Sequence, residues 1–590
     1  MKTFWKIFFG SLLGCIAALL LFFLIGMGML GSAFSSNKDT STVASSAVLK
    51  IDFNSQVVEH ETMGSIGLGN LSQLSQNNAI TILDMVKAIQ YAETDPAIKF
   101  IYMNTDKANL SLAHAEELRD ALLRFRQSGK AIVAYGTSFN NLSYYLASVA
   151  DKVIVHGFGD ATITGLSSSM MFFKDLLDKI GVNMQLVRHG KYKAAAEQLI
   201  KNQISPENYE QNKVMVDNIW NVICDDICAS RDFTKEQFNS WIENLDMLDA
   251  NSLLALGVVD EAFYKEQLDS YLCSLFGVND IKDVKYVSVD RYASARLKEN
   301  YKVKDKVAIV YAEGDIVSEG STSLQGGAAI VGSKFVKELA ALRKDSTVKA
   351  VVLRVNSPGG SALEAEMIRH ELQLLRECKP VIASYGGYAA SGGYWISAQT
   401  DKIFTDKTTI TGSIGVFSLV PSVKEAVKKL NINTATINTH RHSDMGQITR
   451  DLDEEEMVYL QRSIEIIYNQ FTNLVAEGRN MSPERVDELG QGRVWTGTDA
   501  VAIGLADYYG GLYDAVQYAA AASGLTDYRL VEVPVVKTTY EKLLEMLDGG
   551  GMETALVPNG LESVAECYKF LKTYEKPIVY ARLPYLYNIR

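Results

Sequence analysis

Short apolar runs alternate along the chain with segments in which apolar residues recur every three or four positions. "FIYMN" (100–104), "KAIVAYG" (130–136) and "DKVIVHG" (151–157) frame the pattern "LSLAHAEELRDALLRFRQSG" (110–129). Further along, "AVVLRVN" (350–356), "PVIASYGG" (380–387) and "DKIFTD" (401–406) frame "ALEAEMIRHELQLLRE" (362–377) in the same order. Short apolar runs read as buried strands and the three-four spacing as amphipathic helices. Strands separated by helices predict βαβ units, which fold into largely parallel sheets covered on both faces. The fold class is α/β.

The two series are one unit written twice. Shifting the chain by 250 positions lays residues 82–156 on 332–406 without a gap. Val86 meets Val336, Asp95 meets Asp345, Ser111 meets Ser361, Arg119 meets Arg369, Tyr144 meets Tyr394, and the pair Asp151 and Lys152 meets Asp401 and Lys402. An apolar strand opens each copy and an "ITG" tripeptide closes each, at Ile163 to Gly165 and Ile410 to Gly412. The chain reads as a tandem duplication of a domain of about 250 residues, within the usual domain range.

One apolar run differs from all others. From Ile7 to Ala33 there is no charged residue, and about 20 residues suffice to cross a bilayer. The run is longer than a secretory h-region and ends without a clear cleavage site, so it reads as an uncleaved anchor. Lys2 and Lys6 precede it, while Lys38, offset by Asp39, follows. The positive-inside rule then leaves the N-terminus cytoplasmic and the rest of the chain outside. The small, polar stretch after the span reads as a tether.

The 590 residues carry a net charge of −12 spread along the chain, with no basic stripe, which argues against a nucleic-acid partner. Six cysteines fall at irregular spacings and form no disulfide framework. Cys224 and Cys228, one helical turn apart, read as residues of a helix face rather than metal ligands.

The chemistry is expected where one copy keeps special residues that the other lacks. Ser391, Gly392 and Gly393 in "YGGYAASGGYWIS" stand where the first copy has Asn141, Leu142 and Ser143. The loop "NSPGGS" (356–361) stands where the first copy has "DKANLS" (106–111). Both glycine-rich turns lie at ends of predicted strands, where open α/β sheets bind ligands. A serine nucleophile in acyl transfer needs two backbone N–H donors for its oxyanion. Gly392 would supply one, and Gly359 or Gly360 the other.

The serine also needs a base. None of the seven histidines, including His370, His440 and His442 of the second copy, has a recognisable triad setting. A lysine serves if burial lowers its pKa. "LVRHGKYKAAAEQ" (186–198) offers Lys191 and Lys193 in the first copy, and its counterpart "INTHRHSDMGQ" (437–447) places about Ser443 opposite Lys193. Each copy thus retains one member of a reactive pair. Two other classes fit the fold: a catalytically silent peptide-binding scaffold tethered to the membrane, and acyl-CoA chemistry on similar glycine-rich loops. An outward-facing domain would rarely meet CoA, and only an active serine would take up an acylating probe.

The anchor, "GKYKAAAE", "NSPGGS", "YGGYAASGGYWIS", "TGSIGV" (411–416) and the terminal "ARLPYLYNIR" together resemble the long, duplicated signal peptide peptidase A family of bacterial membrane-bound Ser-Lys proteases. The resemblance implies two tandem ClpP/crotonase-like domains, at 47–300 and 301–545, after an anchor (1–34) and a linker (35–46), with an extension at 546–590. It implies Ser391 as nucleophile, Lys193 rather than Lys191 as base, and a lysine-orienting hydroxyl, for which Ser413 is the candidate. It also implies peptide substrates derived from cleaved signal peptides, a homotetramer with its sites inside, and catalytic domains on the periplasmic side of the cytoplasmic membrane. No metal or other cofactor is called for. One departure is visible: Gln198 follows Glu197 where family members commonly have proline.

Overall fold

A computed structural model describes residues 43–60, 79–321, 328–534 and 579–583. The apolar span read at 7–33 and most of the tether lie outside these residues. Among the described residues no helix is long and apolar enough to cross a membrane.

Each repeat builds a parallel sheet around its apolar runs. In the first, the strand order is Glu261–Phe263, Lys152–Thr162, Ile132–Asn140, Ile98–Asn104, Ala47–Ile51 and Tyr286–Ser288, with every neighbouring pair parallel. In the second, Ile410–Gly412, Val381–Ala390, Val348–Ser357, Lys306–Glu313 and Arg529–Val533 follow one another in parallel, and Val494–Thr496 adds an antiparallel edge. Val348–Ser357 is central and buried along nearly its whole length, as a strand covered on both faces must be. The helices Leu112–Arg126 and Ala362–Arg376 pack their three-four apolar stripes, such as Ala365, Ile368, Leu372 and Leu375, into the cores.

The identities between the repeats are largely scaffold. Ser111 and Ser361 each cap the following helix, accepting from the N–H of His114 and Glu364. Asp151 and Asp401 accept from the N–H of Ile132 and Val381, and the hydroxyls of Tyr144 and Tyr394 donate to the carbonyls of Val258 and Leu505. The differences are therefore free to carry function.

A third, mixed sheet ties the repeats together, in the order Ala329–Val331, Asp315–Val317, Gly359–Ser361, Val579–Arg582, Val416–Ser422 and Asn183–His189. Its last pair joins the two repeats, antiparallel, from Asn183 opposite Ser422 to His189 opposite Val416. This pairing departs from the parallel pattern expected of βαβ units, and it carries the lysine segment of the first repeat to the serine of the second. Buried charge closes the same boundary. Arg354 binds both oxygens of Glu59 at 2.8 and 3.1 Å, Glu117 at 2.5 Å and the Ser384 hydroxyl at 3.0 Å.

Candidate active site

Ser391 forms the turn between the strand Val381–Ala390 and the helix Gly392–Ser397, with φ 54° and ψ −112°. Such a conformation is costly for any residue with a side chain and persists only when its surroundings hold it. Here the Ser391 N–H donates to Gly412 O at 2.8 Å, and its carbonyl accepts from the Trp395 N–H at 2.8 Å. The sister turn in the first repeat is relaxed: Asn140 caps its helix at φ −110°. Strain at this turn belongs to the second repeat, and a strained strand-to-helix turn is a known way to present a nucleophilic oxygen.

The structure brings Lys193, Ser391 and Ser413 of one chain together. Lys193 Nζ lies 2.8 Å from Ser391 Oγ, 3.0 Å from Ser413 Oγ and 3.1 Å from Ser413 O. All three residues are 0% exposed. Burial holds the amine well below lysine's ordinary pKa, and the positive charge of Arg582 pushes in the same direction. A neutral amine has two N–H bonds and one lone pair, and three neighbours suit it: two acceptors on Ser413 and one hydroxyl on Ser391. Lys191 is elsewhere, exposed, with its ammonium over the Tyr192 ring at 4.9 Å. His440 and His442 lie in an exposed turn. His442, Asp453 and Glu456 do gather, but Arg450 already binds Glu456 at 2.6 and 2.7 Å and Asp444 at 2.8 and 2.9 Å, which makes this an ion-pair network.

The glycines of "NSPGGS" meet the serine turn. The Gly359 N–H donates to Ser357 Oγ at 3.1 Å, and Gly360 pairs with Ile316 and Ala581 in the third sheet. Gly359 has φ 98°, and a Cβ there would collide with Ala581 O and lie 2.6 Å from Gly392 N. A Cβ on Gly392 would sit 2.8 Å from the same Ala581 oxygen. That oxygen belongs to the strand Val579–Arg582, which runs antiparallel between Gly359–Ser361 and Val416–Ser422. The C-terminal extension therefore supplies a strand to the site, and Arg582 anchors it through Asp315 at 2.8 Å.

A second loop was missed in the sequence. In "GQGRVWTG" (490–497), Gln491 O accepts from the Tyr192 N–H at 2.9 Å, and Gly492 N donates to Ile414 O at 2.8 Å. A Cβ on Gly492 would lie 2.5 Å from Lys193 Cβ. The loop thus seats the lysine backbone, and its signal in the sequence is the pair of glycines, Gly490 and Gly492, just before the strand Val494–Thr496.

A buried lysine on a strained serine, flanked by glycine backbone, is the arrangement of an acyl-transfer hydrolase, and comparison with known proteins agrees. The description "Peptidase family S49" matches residues 124–278 and 373–526, more than half of the chain. The chain belongs to peptidase family S49 and is a serine protease. It is 33% identical over 500 residues to Protease 4 of Haemophilus influenzae, spanning 82% of this chain and 80% of that protein. It is 31% identical over 546 residues to Protease 4 of Salmonella typhi, spanning 90% and 86%. The chloroplastic serine protease SPPA of Arabidopsis thaliana is 29% identical over 494 residues, spanning 83% and 73%. A solved ClpP1 mutant from Listeria monocytogenes aligns at 15% identity and a TM-score of 0.24, covering 35% of this chain and 94% of that one.

Proposed function

We propose that this serine protease works through a Ser391–Lys193 dyad on extended apolar peptides, the remnants of cleaved signal peptides, at the outer face of the cytoplasmic membrane. The observation that carries the reading is the 2.8 Å approach of a fully buried lysine amine to the hydroxyl of a strained serine. Neutral Lys193 takes the proton of Ser391 as Oγ bonds to the scissile carbonyl carbon. The oxyanion accepts N–H donation from Gly392 and from Gly359 or Gly360. Collapse breaks the C–N bond, and the Lys193 ammonium returns the proton to the leaving amine. Water, deprotonated by the same amine, then releases the acyl group. Ser413 accepts the two N–H bonds of Lys193 and aims its lone pair at Ser391.

In this reading residues 7–33 anchor the chain, its two repeats are ClpP/crotonase-like domains, and four copies assemble with their sites inside. The Protease 4 relatives and the absence of charge from residues 7–33 support it. The test is peptide hydrolysis by purified full-length chain. Ser391→Ala and Lys193→Ala should each abolish hydrolysis while leaving circular dichroism unchanged; activity surviving in Ser391→Ala would overturn the dyad. Mixing the two inactive chains should restore nothing, because both groups come from one chain.

A further inference from the structure

The first repeat has lost the reactive serine but kept a cavity in its place. A space of about 480 Å³ opens between the repeats, within the range of ligand pockets. Its walls use the same three segments that build the Ser391 site. Under the repeat alignment Leu110 replaces Gly360, Asn141 and Leu142 replace Ser391 and Gly392, and Thr164 replaces Thr411; all four line the cavity. The reactive features are gone. The Asn141 amide donates to Gly165 O at 2.8 Å and accepts from the Thr164 N–H at 3.2 Å, so it ties the turn instead of offering a nucleophile.

What replaces the chemistry is apolar surface. Leu142 and Leu166 line the space together with Ile219 and Ile223 of the helix Pro206–Ser230, and among the described residues no charged side chain lines it. An anionic ligand such as a nucleotide or acyl-CoA would find no counter-charge there. The opposite wall belongs to the second repeat: Gly387 and Tyr388 lie on the strand that ends at Ser391, and Ile410 lies on its neighbour. Tyr388 precedes Ser391 by three residues, about 10 Å of extended strand. One strand therefore runs from the cavity wall to the residue before the nucleophile.

We propose that this cavity is a second, non-hydrolytic subsite that holds large apolar side chains of a peptide whose scissile bond lies at Ser391, a role that rests on the peptidase reading above. A short peptide engages the dyad alone; a longer apolar one engages both places, and selection for long apolar substrates arises from the decayed repeat.

Binding is measured separately from hydrolysis. Full-length Ser391→Ala chain in detergent is titrated with a fluorescein-labelled, leucine-rich dodecapeptide and followed by anisotropy. Thr164→Arg puts a charge at an exposed position of the wall, where folding tolerates it, and Leu142→Trp fills the space. Each should weaken binding roughly tenfold or more, the effect expected of losing one or two apolar contacts in a pocket. In chains that retain Ser391, the ratio of kcat/KM for the dodecapeptide to that for a tripeptide reporter should fall by a similar factor. Dissociation constants and ratios within twofold of the parent would overturn the subsite. So would a photoreactive peptide that labels no cavity residue while a photoreactive lipid does. If the parent chain hydrolyses neither peptide, the dyad reading fails on its own, and anisotropy still decides the subsite.

Discussion

Replacing Gly492 with alanine tests whether the reacting atoms are held by the loop that seats Lys193. The added Cβ would lie 2.5 Å from Lys193 Cβ and 2.6 Å from Lys193 N, whereas non-bonded carbons rest about 3.5–4.0 Å apart. The lysine segment must retreat by about 1 Å, and it cannot do so freely, because the Tyr192 N–H is bonded to Gln491 O in the same loop. The displacement is passed to an amine that now sits 2.8 Å from Ser391 Oγ. A misplacement of about 1 Å costs on the order of 100-fold in rate. The φ of 76° adds strain of about 1–2 kcal/mol. Gly277→Ala separates the two effects, since Gly277 has φ 84° but nothing within 4 Å of a Cβ. Steady-state kinetics with thermal unfolding should show Gly492→Ala destabilised more than Gly277→Ala, since only it adds a steric clash to the shared backbone strain, with kcat reduced about 100-fold in Gly492→Ala and preserved in Gly277→Ala. Equal kcat in the two variants would refute the claim that this loop positions the lysine.

Three further outcomes follow from the same geometry. Because burial holds the Lys193 pKa in the fold well below its value of about 10.4 in the unfolded chain, the unfolded chain binds the extra proton between the two values, and stability falls as pH drops from about 10.4 toward the lowered pKa. Lys193→Met should therefore raise the unfolding temperature at pH 7 more than at pH 10; an equal change at both would contradict a depressed pKa. Arg582→Ala removes a positive charge that lowers the Lys193 pKa, together with the ion pair to Asp315, so the rise of kcat/KM with pH should move to higher pH, and a shift to lower pH would be inconsistent with the site. Arg354→Met removes the guanidinium that Glu59 and Glu117 share between the repeats, leaving Glu59 to His114 and Glu117 to the Leu512 N–H, and should cost about 3–5 kcal/mol in urea unfolding; a loss below about 1 kcal/mol would mean that this cluster does not hold the boundary.

Much of this architecture is written in local pattern. The 250-residue shift matched Asp151 to Asp401 and Tyr144 to Tyr394 because each pair makes the same hydrogen bond in its own repeat. Ser391 stands out because its glycine neighbours, Gly392 and Gly393, fall on Leu142 and Ser143 in the first copy. Periodicity could not show the pairing of Asn183–His189 with Val416–Ser422, since register between segments more than two hundred residues apart depends on tertiary context. For the same reason the strand at Val579–Arg582 read only as part of an extension. The bond from the Gly359 N–H to the Ser357 hydroxyl, which bears on the choice between Gly359 and Gly360, is invisible in composition or spacing.

The central claim is that a neutral, buried Lys193 activates Ser391. Acylation by a serine-reactive probe, followed against pH and located by peptide mass mapping, tests it most directly. The account predicts one adduct, on Ser391, whose rate of formation rises with a single deprotonation well below the usual lysine range, and no adduct in Lys193→Met. An adduct on another residue, or equal acylation of Ser391 with and without the amine, would contradict it.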